Sequence, residues 1–152
     1  MLFRSASLHD ASNKHCVKRT DRRSDCPINF ALQAFGDAWS LLIIRDLMFT
    51  ERRTYSDFAN AEEGMASNIL ADRLDRLQRS GLIRRVGRGK GARYALTAKG
   101  LDLMPAMLEV IAWSARHDAR TAAAPSFVAR IRQDQKALAA KLRKQRDRKS
   151  VV

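Results

Sequence analysis

Apolar and polar positions along this chain follow two different periods, and the change from one to the other lays out the fold. Pro27 opens a helix, because proline is tolerated at the first helical position. Ile28, Ala31, Leu32 and Phe35 then follow at i, i+3, i+4 and i+7, giving one apolar stripe that Gly36 ends. Asp37 can cap a second helix through Trp39, Leu41, Leu42, Ile43, Ile44, Leu47 and Met48. That helix is apolar nearly all round and is expected at the centre of the core. Beyond the polar break Glu51-Arg52-Arg53, Thr54 and Asp57 have capping-box spacing and start a short helix with Tyr55 and Phe58 facing inward. A fourth helix begins near Ala66 or Ser67 and stops at Gly81. Leu70, Leu74 and Leu77 share one of its faces. Asn68, Asp72, Asp75 and Arg79 fall opposite, and Arg73 and Arg76 flank the stripe.

After Gly81 the period shortens. Residues 82–86 and 92–96 are strand candidates, and Gly87, Gly89 and Gly91 at alternate positions make a tight reversal between them. Thr97 caps a further helix, which Pro105 should kink or restart. It continues through Leu108, Val110, Ile111 and Trp113 to about Ala119. Residues 121–126 read as a hinge. Phe127, Ile131, Leu138 and Leu142 then give a loosely periodic helix ending near Arg146. The predicted class is mainly α with a small β-hairpin. Residues 1–25 form a flexible basic arm, 26–119 a winged helix-turn-helix domain with flanking dimerisation helices, and 120–152 a basic helical tail. In that element order the second helix of the turn motif enters the DNA major groove and the hairpin is a wing beside it.

Composition agrees with one packed domain: 152 residues, 45% hydrophobic and 30% charged. The net charge of +13 is unevenly spread. The centre is nearly neutral, and both arms are basic. Solvated tails would account for this, and so would a polyanionic partner. The longest apolar run, LLII at 41–44, is far short of the roughly 18 residues of a membrane span, and no signal-peptide core stands at the N-terminus. A cytoplasmic, nucleoid-associated bacterial protein without membrane contact is expected. Cys16, Cys26, His9, His15 and His117 are too few and too scattered for a disulfide framework or a structural metal site, so no metal or other cofactor is expected. No nucleophile–base pair, phosphate loop or carboxylate cluster points to an enzyme.

Candidate chemistry concentrates between positions 73 and 93. Arg73, Arg76, Arg79, Arg84, Arg85, Arg88, Lys90 and Arg93 fall there, with Asp75 the sole acid. Arginine-rich surfaces are often no more than solvated. Eight basic residues on a helix end and hairpin in this order indicate double-stranded DNA. Ser67 and Asn68 open the recognition helix, where backbone N–H groups and short side chains meet phosphates or base edges, and asparagine suits adenine. Asp72 either accepts from cytosine N4 or pairs with Arg76 at i, i+4, the second being favoured. Arg73, Arg76 and Arg79 read as phosphate anchors, and Arg88, Lys90 and Arg93 as wing contacts. Trp39 and Trp113 read as core and dimer seam in preference to a pocket, and a small-molecule effector stays open.

The stretch from Cys26 to about Asp118 resembles the HxlR-type winged-helix transcriptional regulators, in the MarR-like group. The resemblance is carried by Cys26-Pro27, by Gly36-Asp37-Ala38-Trp39 with Leu41 to Leu47, and by Arg53-Thr54-Tyr55-Ser56-Asp57-Phe58. It continues through Gly64 to Leu74, Gly81-Leu82-Ile83 and Tyr94 to Gly100. The short glycine-rich hairpin departs from the family's longer, often proline-containing one, and both basic arms lie outside the pattern. The resemblance implies a homodimer joined through the first and last domain helices, and a regulator, by preference a repressor. Some members use a cysteine at the place of Cys26 to sense oxidants or electrophiles. Cys26 stands at a helix N-terminus, where the dipole favours a thiolate, with Arg22 and Arg23 close in sequence. A small residue that only packs there is the alternative. Against the regulator stand two other readings: an architectural or RNA-associated protein that binds nucleic acid without sequence preference, and a winged helix used only as a protein–protein module.

Overall fold

The computed structural model describes residues 24–150. The N-terminal arm, with Cys16, therefore lies almost wholly outside the described residues. Helix α1 spans Pro27–Phe35, α2 Ala38–Phe49, α3 Tyr55–Ala59 and α4 Ser67–Arg79. Strands β1, Ile83–Val86, and β2, Arg93–Leu96, form the hairpin, followed by α5 Ala98–Leu101, α6 Met104–His117 and α7 Pro125–Ser150. The strands are antiparallel, with Ile83 opposite Leu96 and Val86 opposite Arg93. A single 3-10 turn, Gly89–Gly91, sits in the reversal.

One core joins these elements. Ile43, Ile44, Leu47 and Met48 of α2 meet Leu70, Leu74 and Leu77 of α4, Phe58 of α3, and Leu101, Met104 and Leu108 from α5 and α6. Each such side chain taken out of water contributes about 1.5–3 kcal/mol, before the entropy of ordering it. Gly100 allows α5 to lie close against the hairpin: a Cβ there would stand 2.1 Å from the Leu82 carbonyl oxygen.

The chain's own polar groups set the helix ends. Asp37 caps α2, accepting from the Ser40 backbone N–H at 2.9 Å and from the Ser40 hydroxyl at 2.7 Å. Thr54 and Asp57 form the full capping box. Thr97 caps α5, and the chain breaks before α6, where Pro105 fits the first turn. The α2 interior holds one surprise for an apolar helix. Asp46 is only 2% exposed. Arg45 donates to its Oδ1 at 2.9 Å, and Arg52 to its Oδ2 at 3.1 Å. A buried carboxylate needs such partners, and here they bind the end of α2 to the turn before α3.

Two parts add to the sequence reading. Of the α1 stripe, Ile28 and Leu32 are exposed while Phe35 packs against the core, and Ala34 is the buried residue of that helix. The C-terminal segment, expected as a basic helical tail, is helical and packs on the domain. Val128, Ile131, Leu138 and Ala139 are buried where α7 lies along α6, and Gln135 donates to the Pro105 carbonyl at 2.9 Å. The segment is also two helices merged across Asp134, whose backbone leaves the helical region. The Asp134 carboxylate accepts from the Ala137 N–H at 2.9 Å, capping the second half.

Two of these carboxyls titrate below their ordinary value. For Asp37, burial acts upward, but the hydrogen bonds from Ser40 and the charge of Arg73 outweigh it. For Asp57, the backbone N–H groups of Arg53 and Thr54 dominate. A folded-state pKa below the unfolded value of 3.8 gives stability that is complete above that value. It is lost as pH falls through the lower folded value. The urea midpoint should therefore hold between about pH 7 and 5 and drop below about pH 4. Asp37→Asn should lower the neutral midpoint and flatten the acid drop, and an acid limb as steep as the wild type's would show that Asp37 takes no part.

Candidate nucleic-acid interface

Helices α3 and α4 form a helix-turn-helix, and the β1–β2 hairpin stands next to it. The three leucines of α4 are buried, which turns Ser67, Asn68, Ala71, Asp72, Asp75 and Arg79 to solvent. The N-cap of α4 is Ala66, which has no side-chain oxygen, and no side chain caps this end. First-turn N–H groups of a helix have no partner within it, and a helix start left without a cap can bind an anion. The Tyr55 hydroxyl donates to the Ser67 carbonyl at 2.9 Å and so fixes this end of α4 to α3.

The arginines of α4 do not act alike. Arg73, on the flank, donates its Nε to Asp37 at 2.9 Å and also pairs with Asp72. Arg76 reaches back to the Gln33 carbonyl in the last turn of α1. Both were expected as phosphate anchors; in the structure their guanidinium groups are engaged within the fold and the residues are partly exposed. Arg79 pairs with Asp75 at 2.9 Å across an exposed i, i+4 step, which contributes about 0.3–0.5 kcal/mol. The Asp72–Arg76 pair favoured from spacing is not formed: Arg76 turns to α1, and the neighbouring Arg73 takes the carboxylate. The carboxylates of α4 thus offset much of its positive charge.

The hairpin has no acidic residue. Arg84, Arg85, Arg88 and Arg93 are exposed along it. Arg85 donates to the Gly89 carbonyl at 2.9 Å, bracing the reversal, while Gly87 and Gly89 adopt the positive φ values that it needs. Lys90 lies in the 3-10 turn. The chain before α3 also joins this sheet edge: the Tyr94 N–H donates to the Arg53 carbonyl at 2.7 Å, and Thr54 bridges Arg93. Nothing local in the sequence signals that pairing. Arg53 lies partly buried beside it, and burial, then the charge of Arg146, hold its guanidinium below the usual value.

Cys26 stands at the N-cap of α1, partly exposed, with Pro27 after it and its N–H 3.3 Å from the Ser24 hydroxyl. Trp39 packs against the core, whereas Trp113 is 58% exposed. Among the described residues no group of three or more His, Cys, Asp or Glu side chains could hold a metal, and no single helix is long and apolar enough to cross a membrane.

A helix-turn-helix with a basic hairpin beside its second helix defines the winged helix-turn-helix class. The model of the HxlR-like helix-turn-helix family matches residues 34–122, more than half of the chain, and the chain belongs to that family. Its members are transcriptional regulators and not enzymes. The uncharacterised HTH-type transcriptional regulator sll1512 of Synechocystis sp. is 30% identical over 86 residues, 55% of this chain and 63% of its own length. This chain therefore spans less than two thirds of that relative. The structure of PA1607, assigned as a transcription factor, is 32% identical with a TM-score of 0.57, over 68% of this chain and 70% of that one. The redox regulator HypR in its oxidised form shares the fold at 22% identity and a TM-score of 0.54, over 60% of this chain and 96% of that one.

The inward arginines carry a direct test. Arg73→Ala and Arg76→Ala should each lower unfolding free energy by about 1–3 kcal/mol, since each leaves a charge-assisted hydrogen bond unmade. Arg79→Ala should stay within about 0.5 kcal/mol. Equal denaturant midpoints for all three variants would contradict the anchoring role.

Proposed function

We propose that the chain is a homodimeric, sequence-specific double-stranded DNA-binding transcriptional regulator that represses by occupying its site. The observation that carries this reading is the exposed, uncapped start of α4, bearing Ser67 and Asn68, beside a hairpin without an acid. Division of labour follows from the charges. Ser67, Asn68 and Asp72 are short polar groups on the outward face and suit base edges. Arg79, Arg88, Lys90 and Arg93 supply phosphate contacts. Arg73 and Arg76 fix the pitch of α4, and Arg73 keeps a partly exposed edge toward the duplex.

Dimerisation is supported by apolar surface that a single chain leaves open. Ile28 and Leu32 of α1 are 59% and 56% exposed, and Val110 and Trp113 of α6 are 52% and 58% exposed. A second copy related by a two-fold axis would cover both helices.

DNA binding measured across salt and sequence tests the reading. A base-edge contact carries about 1–3 kcal/mol of discrimination, and a phosphate contact almost none. Asn68→Ala should therefore weaken the cognate site and leave scrambled DNA nearly untouched. Arg88→Ala with Lys90→Ala should weaken both and flatten the salt dependence by up to about one unit of log–log slope per lost contact. Equal affinity for every sequence at physiological salt would favour the architectural, RNA-associated reading, and no binding at all would favour a protein–protein module.

Cys26 adds an oxidant or electrophile response to the proposal, supported by its partly exposed place at a helix start. Mild peroxide or a quinone should change DNA affinity in the wild type and not in Cys26→Ser. Cys16→Ser should still respond unless Cys16 resolves the oxidised thiol. A Cys26→Ser variant that responds like the wild type removes the sensor.

A further inference from the structure

A cavity of about 850 Å³ opens between the end of α2, helix α6, residues 122–124 and α7. Its size is that of a pocket for a small organic molecule. The walls are apolar: Met48 and Phe49 from α2, Ile111 from α6, Phe127 and Leu142 from α7. Phe49 and Phe127 meet edge to face at 6.3 Å between centroids. Among the described residues no acid lines the cavity; its charged lining is Arg45, Arg146 and Arg148. Arg45 is committed to Asp46 and Glu63. The Arg146 guanidinium, 13% exposed, donates its Nε to the Met48 carbonyl at 2.6 Å and holds Glu51 at 3.3 Å, and Glu51 itself is 70% exposed. A carboxylate so open to water gives a weak pair. Arg148 is exposed and has no acidic partner among the described residues. Arg53 lies close enough to Arg146 for its titration to be depressed by that charge. The charged groups on the walls of this apolar slot are therefore cationic.

We propose that this cavity binds an amphipathic organic monoanion, its apolar body against Phe49, Phe127 and Leu142 and its carboxylate on Arg146 and Arg148. The two materials of the wall select the ligand. A neutral hydrocarbon would leave the arginines unused, an organic cation would meet like charge, and a polyphosphate would find no polar floor. Phe127, Leu142, Arg146 and Arg148 lie beyond residue 122, where the family match ends, while Met48, Phe49 and Ile111 lie within it. In place of the ligand, Glu51 supplies a carboxylate to Arg146 from solvent, and the two compete for it. The proposal does not depend on what α4 binds, and its test contains no DNA.

Calorimetric titration of the full chain with octanoate, 2-naphthoate and their ammonium counterparts octylamine and 2-naphthylmethylamine tests it. At least one carboxylate should saturate at one per chain, and which one does so tells a flexible chain from a fused ring as the apolar body. Each amine should bind at least about tenfold more weakly than its carboxylate. Leu142→Trp, which fills the slot, should abolish binding while unfolding stays cooperative. Arg146→Gln should weaken the carboxylate about tenfold, and the exposed Arg148→Gln several-fold, which keeps the test sound if the loss of the Met48 contact harms folding. Glu51→Gln should tighten binding a few-fold by removing the competitor. The proposal fails if neither carboxylate saturates by about 1 mM, a Kd worth about −4 kcal/mol. It also fails if the amines bind equally well, or if Leu142→Trp binds like the wild type.

Discussion

The packing of Leu70, Leu74 and Leu77 against α2 is the constraint on which the rest of the structure depends. These three residues are at most 2% exposed. Because they repeat at helical spacing, burying them leaves one face of α4 for the outside, and that face begins with Ser67 and Asn68. Removing one of these side chains would cost about 2–5 kcal/mol, so rotation of α4 about its axis is strongly opposed. The helix is also held at both ends and from the side. Tyr55 secures its start, Arg73 ties its middle to the cap of α2, and Arg76 ties its later turns to α1. A reading surface needs this rigidity, since a base contact loses its discrimination when its geometry drifts.

The electrostatics follow from the same posture. The arginines nearest the core are drawn to Asp37, Asp72 and the Gln33 carbonyl, and Arg79 to Asp75. Fixing the helix thus consumes part of its positive charge. In the hairpin Arg85 braces the reversal through a carbonyl and no carboxylate of its own offsets the charge, so its acid-free sequence leaves positive potential beside α4. In the proposed function wing and helix are complementary: the acid-free hairpin would attract a polyanion, and the helix start carries side chains short enough to suit base edges. The pairing of Arg53 and Thr54 with β2 makes the hairpin continuous with the turn before α3. The wing cannot easily swing away from the helix-turn-helix.

Features set by neighbours in sequence were legible before the structure. The leucine period of α4, the caps at Asp37, Thr54 and Thr97, the glycine reversal and the break at Pro105 all depend on residues a few positions apart. Features set by distant partners were not. Spacing favoured Asp72 with Arg76, but Arg76 finds a carbonyl on α1 that no local rule locates. The docking of residues 125–150 on α6 was obscured by their charge, because four buried side chains suffice to hold a helix whose other faces are basic. The Asp134 break was visible only as an aspartate in a loosely periodic run. Buried Asp46 had a signal: a carboxylate inside a helix judged buried all round must have partners, and Arg45 and Arg52 are close by. Of the candidate interface, the outward residues of α4 could be named from the wheel, whereas the inward turn of its arginines required the fold.

The central claim is that α4 reads a groove while a second copy reads the same face one turn of duplex away. Hydroxyl-radical footprinting of the full chain on its selected DNA site tests this most directly. The account predicts two protected segments related by a two-fold axis, centred about 34–36 Å apart, with base-specific protection of the major groove at each centre. Asn68→Ala should erase the groove protection and leave the backbone protection in place. A single protected segment, or protection spread evenly over any sequence offered, would contradict it.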